Sequence, residues 1–407
     1  MKIVHTADLH LGQIIYQNYD RADEHAHFFR QLEQWCAAER PDALVVAGDV
    51  FDVAQPSTAA RGAYIEAFVR LHECCPEMMI VIIAGNHDSA SRLQVEELLW
   101  RQLNVVVVGV APPLSVGEAD CGRYIVRLPA GYIVAVPYSP GNRREAVQAV
   151  LDVVAAENTG GLPVVAVAHA AVDGVDVTGH NIDVGNLRTL PAEAFGCGYD
   201  YLALGHIHRP QTLGRPASDE GVPETVYDTP VARYAGSALH VSCDEAYPHT
   251  VSVVDIDRHG GCVSVRRLRI DELRHFHTLP REGAFRSGEA ALAAVAEAVA
   301  GGLEGYFRLR MDYGSETPPD FEQKIYRLLA DRGDRLCFNP KHLWVGEATG
   351  GAAVETPVFA VAELQQMNDP MIFVERTADQ YKGFSLDELR EAFAEIAAEA
   401  NRLSREK

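Results

Sequence analysis

Aspartate, histidine and asparagine recur in this chain at one kind of place, just past the end of an apolar run. Gly85-Asn86-His87-Asp88 follows the run Met78 to Ala84, and Asp8-Leu9-His10 follows Lys2 to Ala7. Gly48-Asp49 follows Ala43 to Ala47, His169 follows Val164 to Ala168, and Gly205-His206-Ile207-His208 follows Tyr201 to Leu204. Short runs rich in Val and Ile that stop at a glycine or polar residue read as buried strands. Polar side chains are expensive to cover unless each finds a partner, so their gathering at strand ends points to a shared task. Carboxylates, imidazoles and an amide oxygen are borderline to hard ligands, suited to manganese, iron, zinc or magnesium rather than to thiophilic metals. Two such ions about 3.5 to 4 Å apart can share one carboxylate and polarise a phosphoryl oxygen. Asp49 is the natural shared ligand, because its strand comes early and is expected centrally in the sheet. Ligands at the C-terminal ends of strands also follow the placement rule for open α/β sheets.

The elements that must carry these residues alternate along the chain. A helix is expected over Arg21 to Glu39, with Phe28, Leu32 and Trp35 on one face, and further helices over Ser57 to Glu73 and Ser91 to Leu103. Interleaved with the strands they give a parallel-rich α/β architecture. Between Val105 and Val136, short strands separated by Pro112, Pro113, Gly117 and Gly122 predict antiparallel hairpins and a second sheet packed on the first. Helix Arg143 to Glu157 and strand Pro163 to Ala168 follow, then a long loop from Val172 to Gly196 with a short helix near its end. Gly214 to Pro230 reads as an exposed loop, and Thr250 to Asp257 and Cys262 to Leu268 as half-buried strands. The pattern breaks around Asp271 to Arg281. Helix Gly288 to Ala300, strand Tyr306 to Asp312, helix Asp320 to Leu329 and strand Arg335 to Trp344 then make a smaller α+β unit.

Gly350 to Thr356 has linker composition, and Ser385 with Glu388 opens a final helix as a capping box does. Its stripe of Leu386, Leu389, Phe393, Ile396, Ala400 and Leu403 suits either its own domain or a groove on a partner. The expected domains are 1–270, 271–350 and 351–407.

Asp and Glu outnumber Lys and Arg by 57 to 36, a formal charge of -21. Nucleic acid is held by Lys and Arg that displace counterions from phosphates. A chain of this sign would need bound cations, a local basic patch or a partner to hold it. No stretch is long and apolar enough to span a membrane, and the N-terminus enters a strand without the layout of a signal peptide, which points to the cytoplasm. The eight cysteines show no Cys-X-X-Cys spacing, so neither a zinc ribbon nor a disulfide framework is expected.

The five strand-end motifs, in this order from Met1 to about Asp257, resemble the calcineurin-like metallophosphoesterase superfamily. Within it, His5-Thr6-Ala7-Asp8-Leu9-His10-Leu11-Gly12, Ala47 to Asp52, Ala84 to Ser89 and Tyr234-Ala235-Gly236-Ser237 look like the nuclease chains of bacterial DNA-processing complexes. The resemblance implies a two-sheet sandwich flanked by helices, with a smaller α+β capping domain that helps select DNA and a C-terminal helical tail that docks on a partner. It implies manganese, double-strand exonuclease and single-strand or hairpin endonuclease activity in DNA repair, replication and recombination. The implied partner is an ATPase with a long coiled coil, the nuclease chain being a homodimer within a heterotetramer. Carried over one position at a time, it puts Asp8, His10 and His208 on one ion, and Asn86, His169 and His206 on the other. Asp49 bridges them, and His87 is the general acid that protonates the departing oxygen or stabilises the phosphorus in flight.

Other readings stay open. Asp52 and Asp88 either orient a ligand, as metal-bound histidines need, or cap a turn. His180, His240, His249, His275 and His277 read as solvated loop histidines, and Arg188, Arg209, Arg215 and Arg233 lie where they could meet phosphates. A small-molecule phosphodiesterase or phosphatase of the same superfamily is the enzymatic alternative, favoured by the negative charge. A structural protein whose metal only braces the fold is the third.

Overall fold

Strand-forming runs with no interruption need cover on both faces, and the computed structural model supplies it. It describes residues 1–345 apart from 17, 115, 178–188, 217–219 and 246. The chain runs β1 (Lys2–Thr6), a small hairpin of β2 (Ile14–Ile15) and β3 (Tyr19–Asp20), α1 (Ala22–Glu39), β4 (Ala43–Ala47), α2 (Thr58–Cys74) and β5 (Met79–Ile83). Next come α3 (Ala90–Val95), α4 (Glu97–Trp100), β6 (Val105–Val108), α5 (Glu118–Cys121), the hairpin β7 (Ile125–Leu128) and β8 (Gly131–Val136), α6 (Arg144–Glu157) and β9 (Val164–His169). They are followed by β10 (Tyr201–Gly205), β11 (Gln211–Thr212), β12 (Glu224–Asp228), β13 (Val231–Tyr234), β14 (Thr250–Ile256) and β15 (Cys262–Arg269). The last described part holds β16 (Phe276–Leu279), β17 (Phe285–Ser287), α7 (Gly288–Ala300), β18 (Gly305–Glu316), α8 (Phe321–Leu329) and β19 (Leu336–Val345).

Two sheets form a sandwich. The first has the order β12-β15-β14-β1-β4-β5-β6 and the second β11-β13-β10-β9-β8-β7. Strands β1, β4, β5 and β6 are mutually parallel, as are β8, β9, β10 and β13. Along β4 the side chains alternate. Ala43, Val45 and Ala47 join the layer between the sheets, with Val165, Val167, Tyr201 and Ala203 from opposite. Leu44 and Val46 face the other way, into a layer with Phe28, Phe29 and Leu32 of α1 and Tyr64, Phe68 and Leu71 of α2. The outer face of the second sheet is covered by α6 through Val147, Val150, Leu151 and Val154. Each fully buried Val, Leu or Phe among them contributes about 1.5–3 kcal/mol over an exposed one.

The third sheet is built on β18, which pairs in parallel with β16, β17 and β19. Helices α7 and α8 cover it with Ala291, Val295, Phe321 and Ile325. It is fastened to the sandwich near the start of α1. The Tyr306 hydroxyl donates to Glu24 Oε2 at 2.6 Å, and the Arg274 guanidinium donates to both Asp23 oxygens at 2.8 and 2.6 Å. The two-sheet sandwich and the smaller α+β unit thus have the expected layout. The linker and final helix expected after 350 lie outside the described residues, as do His180 and Arg188.

Several expected elements differ. The helix over Ser91 to Leu103 breaks into α3, α4 and a turn at Arg101–Leu103. Around the break Glu96 pairs with Arg61, and the Gln94 amide binds the Gly109 N–H and the Val107 carbonyl. The expected assignment of Val105 onward to the second sheet is wrong for β6, which adds parallel to β5; only β7 and β8 make the hairpin. Gly214 to Pro230 is not all loop. It contains the edge strand β12, where only Tyr227 is buried and the pattern is correspondingly weak. The broken pattern around Asp271 to Arg281 hides β16, half-buried at every position and so without alternation. No helix among the described residues is long and apolar enough to cross a membrane.

Candidate metal centre

The loops that follow β1, β4 and β5 are tied to one another before any ion enters. Asp8, His10 and Leu11 donate their backbone N–H groups to the carbonyls of Gly48, Asp49 and Val50 at 3.0, 3.1 and 2.9 Å. The Asp88 carboxylate accepts from the N–H groups of Gly85, Val50 and Phe51 at 2.8, 3.1 and 2.9 Å. It therefore joins two loops rather than capping one. Asp8, His10, Asp49 and His206 all sit at positive φ, at 51, 47, 48 and 97°. For residues other than glycine this conformation costs of order 1–3 kcal/mol each and persists only where the surroundings impose it. Here it turns four polar side chains at the strand ends toward one another.

Small residues make room for the approach. A Cβ on Gly85 would lie 2.1 Å from Asp49 Oδ1 and 2.3 Å from Asp49 N. Gly48, at φ +89°, would place one 2.3 Å from His169 Nδ1. Gly85→Ala is expected to lose about 1–3 kcal/mol of stability, as overpacked sites do. Urea unfolding with a chelator present would measure this apart from metal binding.

The second sheet brings the remaining groups. His169, the last residue of β9, donates Nδ1–H to the Ala47 carbonyl at 2.8 Å, bridging the two sheets. The His206 N–H reaches Asp8 Oδ1 at 2.9 Å. Asn86 Oδ1 lies 2.9 Å from both His169 Nε2 and His206 Nδ1, and Asp49 Oδ2 is 3.3 Å from His169 Nε2. On the other side Asp8, His10 and His208 offer atoms within 4.8 Å of one another, and His10, Asp49 and His87 form an overlapping group. Asp49 Oδ2 is 3.9 Å from His10 Nε2, so this carboxylate faces both groups.

These donors fit divalent cations. Both His169 nitrogens face oxygens, which requires either a doubly protonated ring or a cation in place of one proton. His10 Nε2 is buried without a hydrogen-bond partner, an expensive state that a ligand role relieves. The charges pull accordingly. Burial opposes it, yet the Asp49 and Asp8 carboxylates push the His169 ring up to about 9. Asp49 is held well below the usual carboxylate range, against burial, by the His169, His10 and His87 rings. For Asp8 burial prevails and drives the carboxyl up.

All the residues expected to act, Asp8, His10, Asp49, Asn86, His87, His169, His206 and His208, are thus brought together. Asn86 is exposed, and His87 and His206 are partly so, which opens the cluster on one side. His87 donates Nδ1–H to the Asp52 carbonyl at 2.7 Å, and Asp52 Oδ1 lies 3.2 Å from His10 Nδ1. Of the two open roles for Asp52, the carboxylate meets the histidine. Glu245 was missed. It is buried, with Oε1 3.1 Å from His208 Nδ1 and Oε2 3.3 Å from His249 Nε2. No spacing in the sequence links it to the strand-end motifs. His249 and His240 are not solvated loop residues: His249 is fully buried and His240 packs on it at 4.1 Å, its ring tilted by 50°. Of the arginines that could have met phosphates, Arg209, Arg215 and Arg233 have other partners. Arg233 is fully buried against Glu220, Ser252 and Thr212. Arg215 lies over Tyr227, and Arg209 pairs with Asp176.

A sandwich with aspartate, asparagine and histidine at the ends of strands from both sheets defines a phosphoesterase scaffold. The calcineurin-like phosphoesterase family matches residues 1–210, more than half of the chain, and the chain belongs to that family. Its relatives include the SbcD component of the SbcCD nuclease of Rhodobacter capsulatus, 32% identical over 312 residues that cover 70% of this chain and 72% of that protein. The SbcD component from Escherichia coli K12 is 31% identical over 276 residues, covering 62% and 65%. The chain thus spans somewhat under two thirds of the E. coli protein's length. Among solved structures, a dimetal phosphatase from Danio rerio covers 67% of this chain and 99% of its own at 14% identity, with a TM-score of 0.38, too loose a likeness to build on.

Proposed function

We propose that this chain is the metal-dependent nuclease component of a DNA-processing complex, hydrolysing phosphodiester bonds together with an SbcC-like ATPase that carries a coiled coil. The observation that carries the reading is the convergence of seven ligand-type residues from both sheets, with His87 at the open side. The likeness to SbcD supports DNA as the substrate and repair, recombination and replication as the setting. Asp8, His10 and His208 would hold one divalent ion and Asn86, His169 and His206 the other, with Asp49 shared. The family resemblance favours manganese. Bound there, the ions would polarise a phosphoryl oxygen and lower the pKa of a water.

The chain's own groups do the rest. The Asp52 carbonyl holds the Nδ1 proton of His87, so the second ring nitrogen is the one that carries a proton to the departing oxygen. Asp52 also steadies His10, and Asp88 keeps the Asp49 and His87 loops in register. The third sheet belongs to the capping domain expected at 271–350, which helps select DNA, and 351–407 is the part that docks on the partner. Because the formal charge is -21, this chain alone binds DNA weakly, and the ions and the partner supply affinity. The protein works in the cytoplasm.

The assembly is a homodimer of this chain within a heterotetramer. Val95, Leu98 and Leu99 support it, standing 77, 76 and 76% exposed at helical spacing on one short stretch, the kind of apolar surface that association covers. Leu98→Glu with Leu99→Glu is expected to sediment as a monomer, and an unchanged dimer would move the interface elsewhere.

The test of function is hairpin DNA offered to the protein with manganese and its ATPase partner. Nicking is expected. Hydrolysis of a model diester with the hairpin left intact would reassign the site to a small-molecule phosphodiesterase.

A further inference from the structure

We propose that Glu245 is a positioning residue for His208, and that its loop makes one ion position answer to the third sheet while the other does not. This rests on the reading of the cluster as a two-ion centre.

Glu245 is 2% exposed, and both its oxygens are engaged. Oε1 faces His208 Nδ1 at 3.1 Å. Oε2 accepts the Val241 N–H at 3.0 Å and lies 3.3 Å from His249 Nε2. A carboxylate can only accept, so the His208 proton is placed on Nδ1 and Nε2 is left as the ligand atom. Carboxylate partners of this kind orient a metal-binding histidine and raise its basicity. His169 is oriented differently, by the carbonyl of Ala47 at the end of the core strand β4. That carbonyl moves only if the sandwich moves. Glu245 instead stands on the segment between β13 and β14.

The same segment is gripped by the third sheet. Asp244 Oδ1 accepts from Arg308 of β18 at 2.6 Å. Cys243 Sγ accepts from Arg308 at 3.2 Å and from Asn339 of β19 at 3.3 Å. His240 packs on Phe276 of β16 at 5.2 Å and on His249 at 4.1 Å. From β16, β18 and β19 the contacts run through His240, Cys243 and Asp244 to Glu245, and from there to His208. Displacement of the third sheet, as by a substrate or partner pressing on it, therefore shifts the Asp8–His10–His208 position and spares the Asn86–His169–His206 position.

The experiment is manganese titration of the full chain by calorimetry and electron paramagnetic resonance, for wild type, E245Q and R308A. The wild-type protein is expected to take up two ions with the spectrum of a coupled pair. E245Q keeps the side chain's size but cannot accept with both arms. It should weaken one ion about 10- to 100-fold, leave the other unchanged, and show the lines of an isolated ion at intermediate loading. R308A, at a residue that hydrogen-bonds to none of the ligands, should weaken the same ion by a smaller factor. A wild type that binds no manganese defeats the two-ion reading itself. With two ions bound by the wild type, unchanged or equal weakening of both in E245Q overturns the role of Glu245, and an unaffected R308A overturns the coupling to the third sheet. Should E245Q not fold, E245D, which keeps the charge but draws the carboxylate back from His208 Nδ1, is read in the same way.

Discussion

Asp49→Asn is expected to strip the protein of both ions and to lower hydrolysis by about 10³-fold or more, since one well-placed electrostatic group alone is worth 10²–10³. The reason lies in what the carboxylate faces. Its Oδ2 stands 3.3 Å from His169 Nε2 and 3.9 Å from His10 Nε2, one from each ligand group. Its Oδ1 is already committed, accepting the His87 N–H at 2.8 Å. The amide can keep that hydrogen bond, so the loop should hold its shape while the shared charge disappears. Metal content by elemental analysis separates the outcomes. Retention of two ions in Asp49→Asn would mean that Asp49 is not shared between them.

The second large effect is expected at His87. His87→Ala should reduce kcat by about 10²- to 10⁴-fold, the usual worth of a positioned acid or base, with KM and metal content unchanged. The backbone N–H that holds Asp49 survives the substitution, which favours an intact centre. His87 also belongs to a group with His10 and Asp49 that is itself close enough to hold an ion, so the metal measurement decides its role. Loss of metal along with activity would make His87 a ligand. Unchanged cleavage would leave it without either role.

The strand ends were legible because buried parallel strands are continuous apolar runs, and any Asp, His or Asn after one is conspicuous. Asp8, Asp49, Asn86 and His206 announce themselves in this way. Glu245 does not. It sits in a polar loop among other polar residues, and its importance comes from packing between His208 and His249, which no local pattern encodes. Arg233 misleads for the opposite reason. It is a fully buried cation whose partner Glu220 comes from a loop upstream, so sequence alone makes it look available for phosphate. Strands β12 and β16 were hidden by their edge positions, where half-exposed side chains erase the two-residue alternation. Helix α3 ends early because of side-chain ties to β6 and α2, and these are tertiary events.

His169 hangs from one sheet and is anchored on Ala47 of the other, and Asp8 is met by His206 in the same fashion. The layer of Ala, Val and Ile between the sheets therefore acts as a spacer as well as a core. Enlarging Ala47 or Ala203 by a methyl group would be a modest insult to folding, yet any slip of sheet over sheet would change the gap that the ions must fill. Drift at these positions is thus constrained by gauge, and a variant could keep its melting temperature while losing its chemistry.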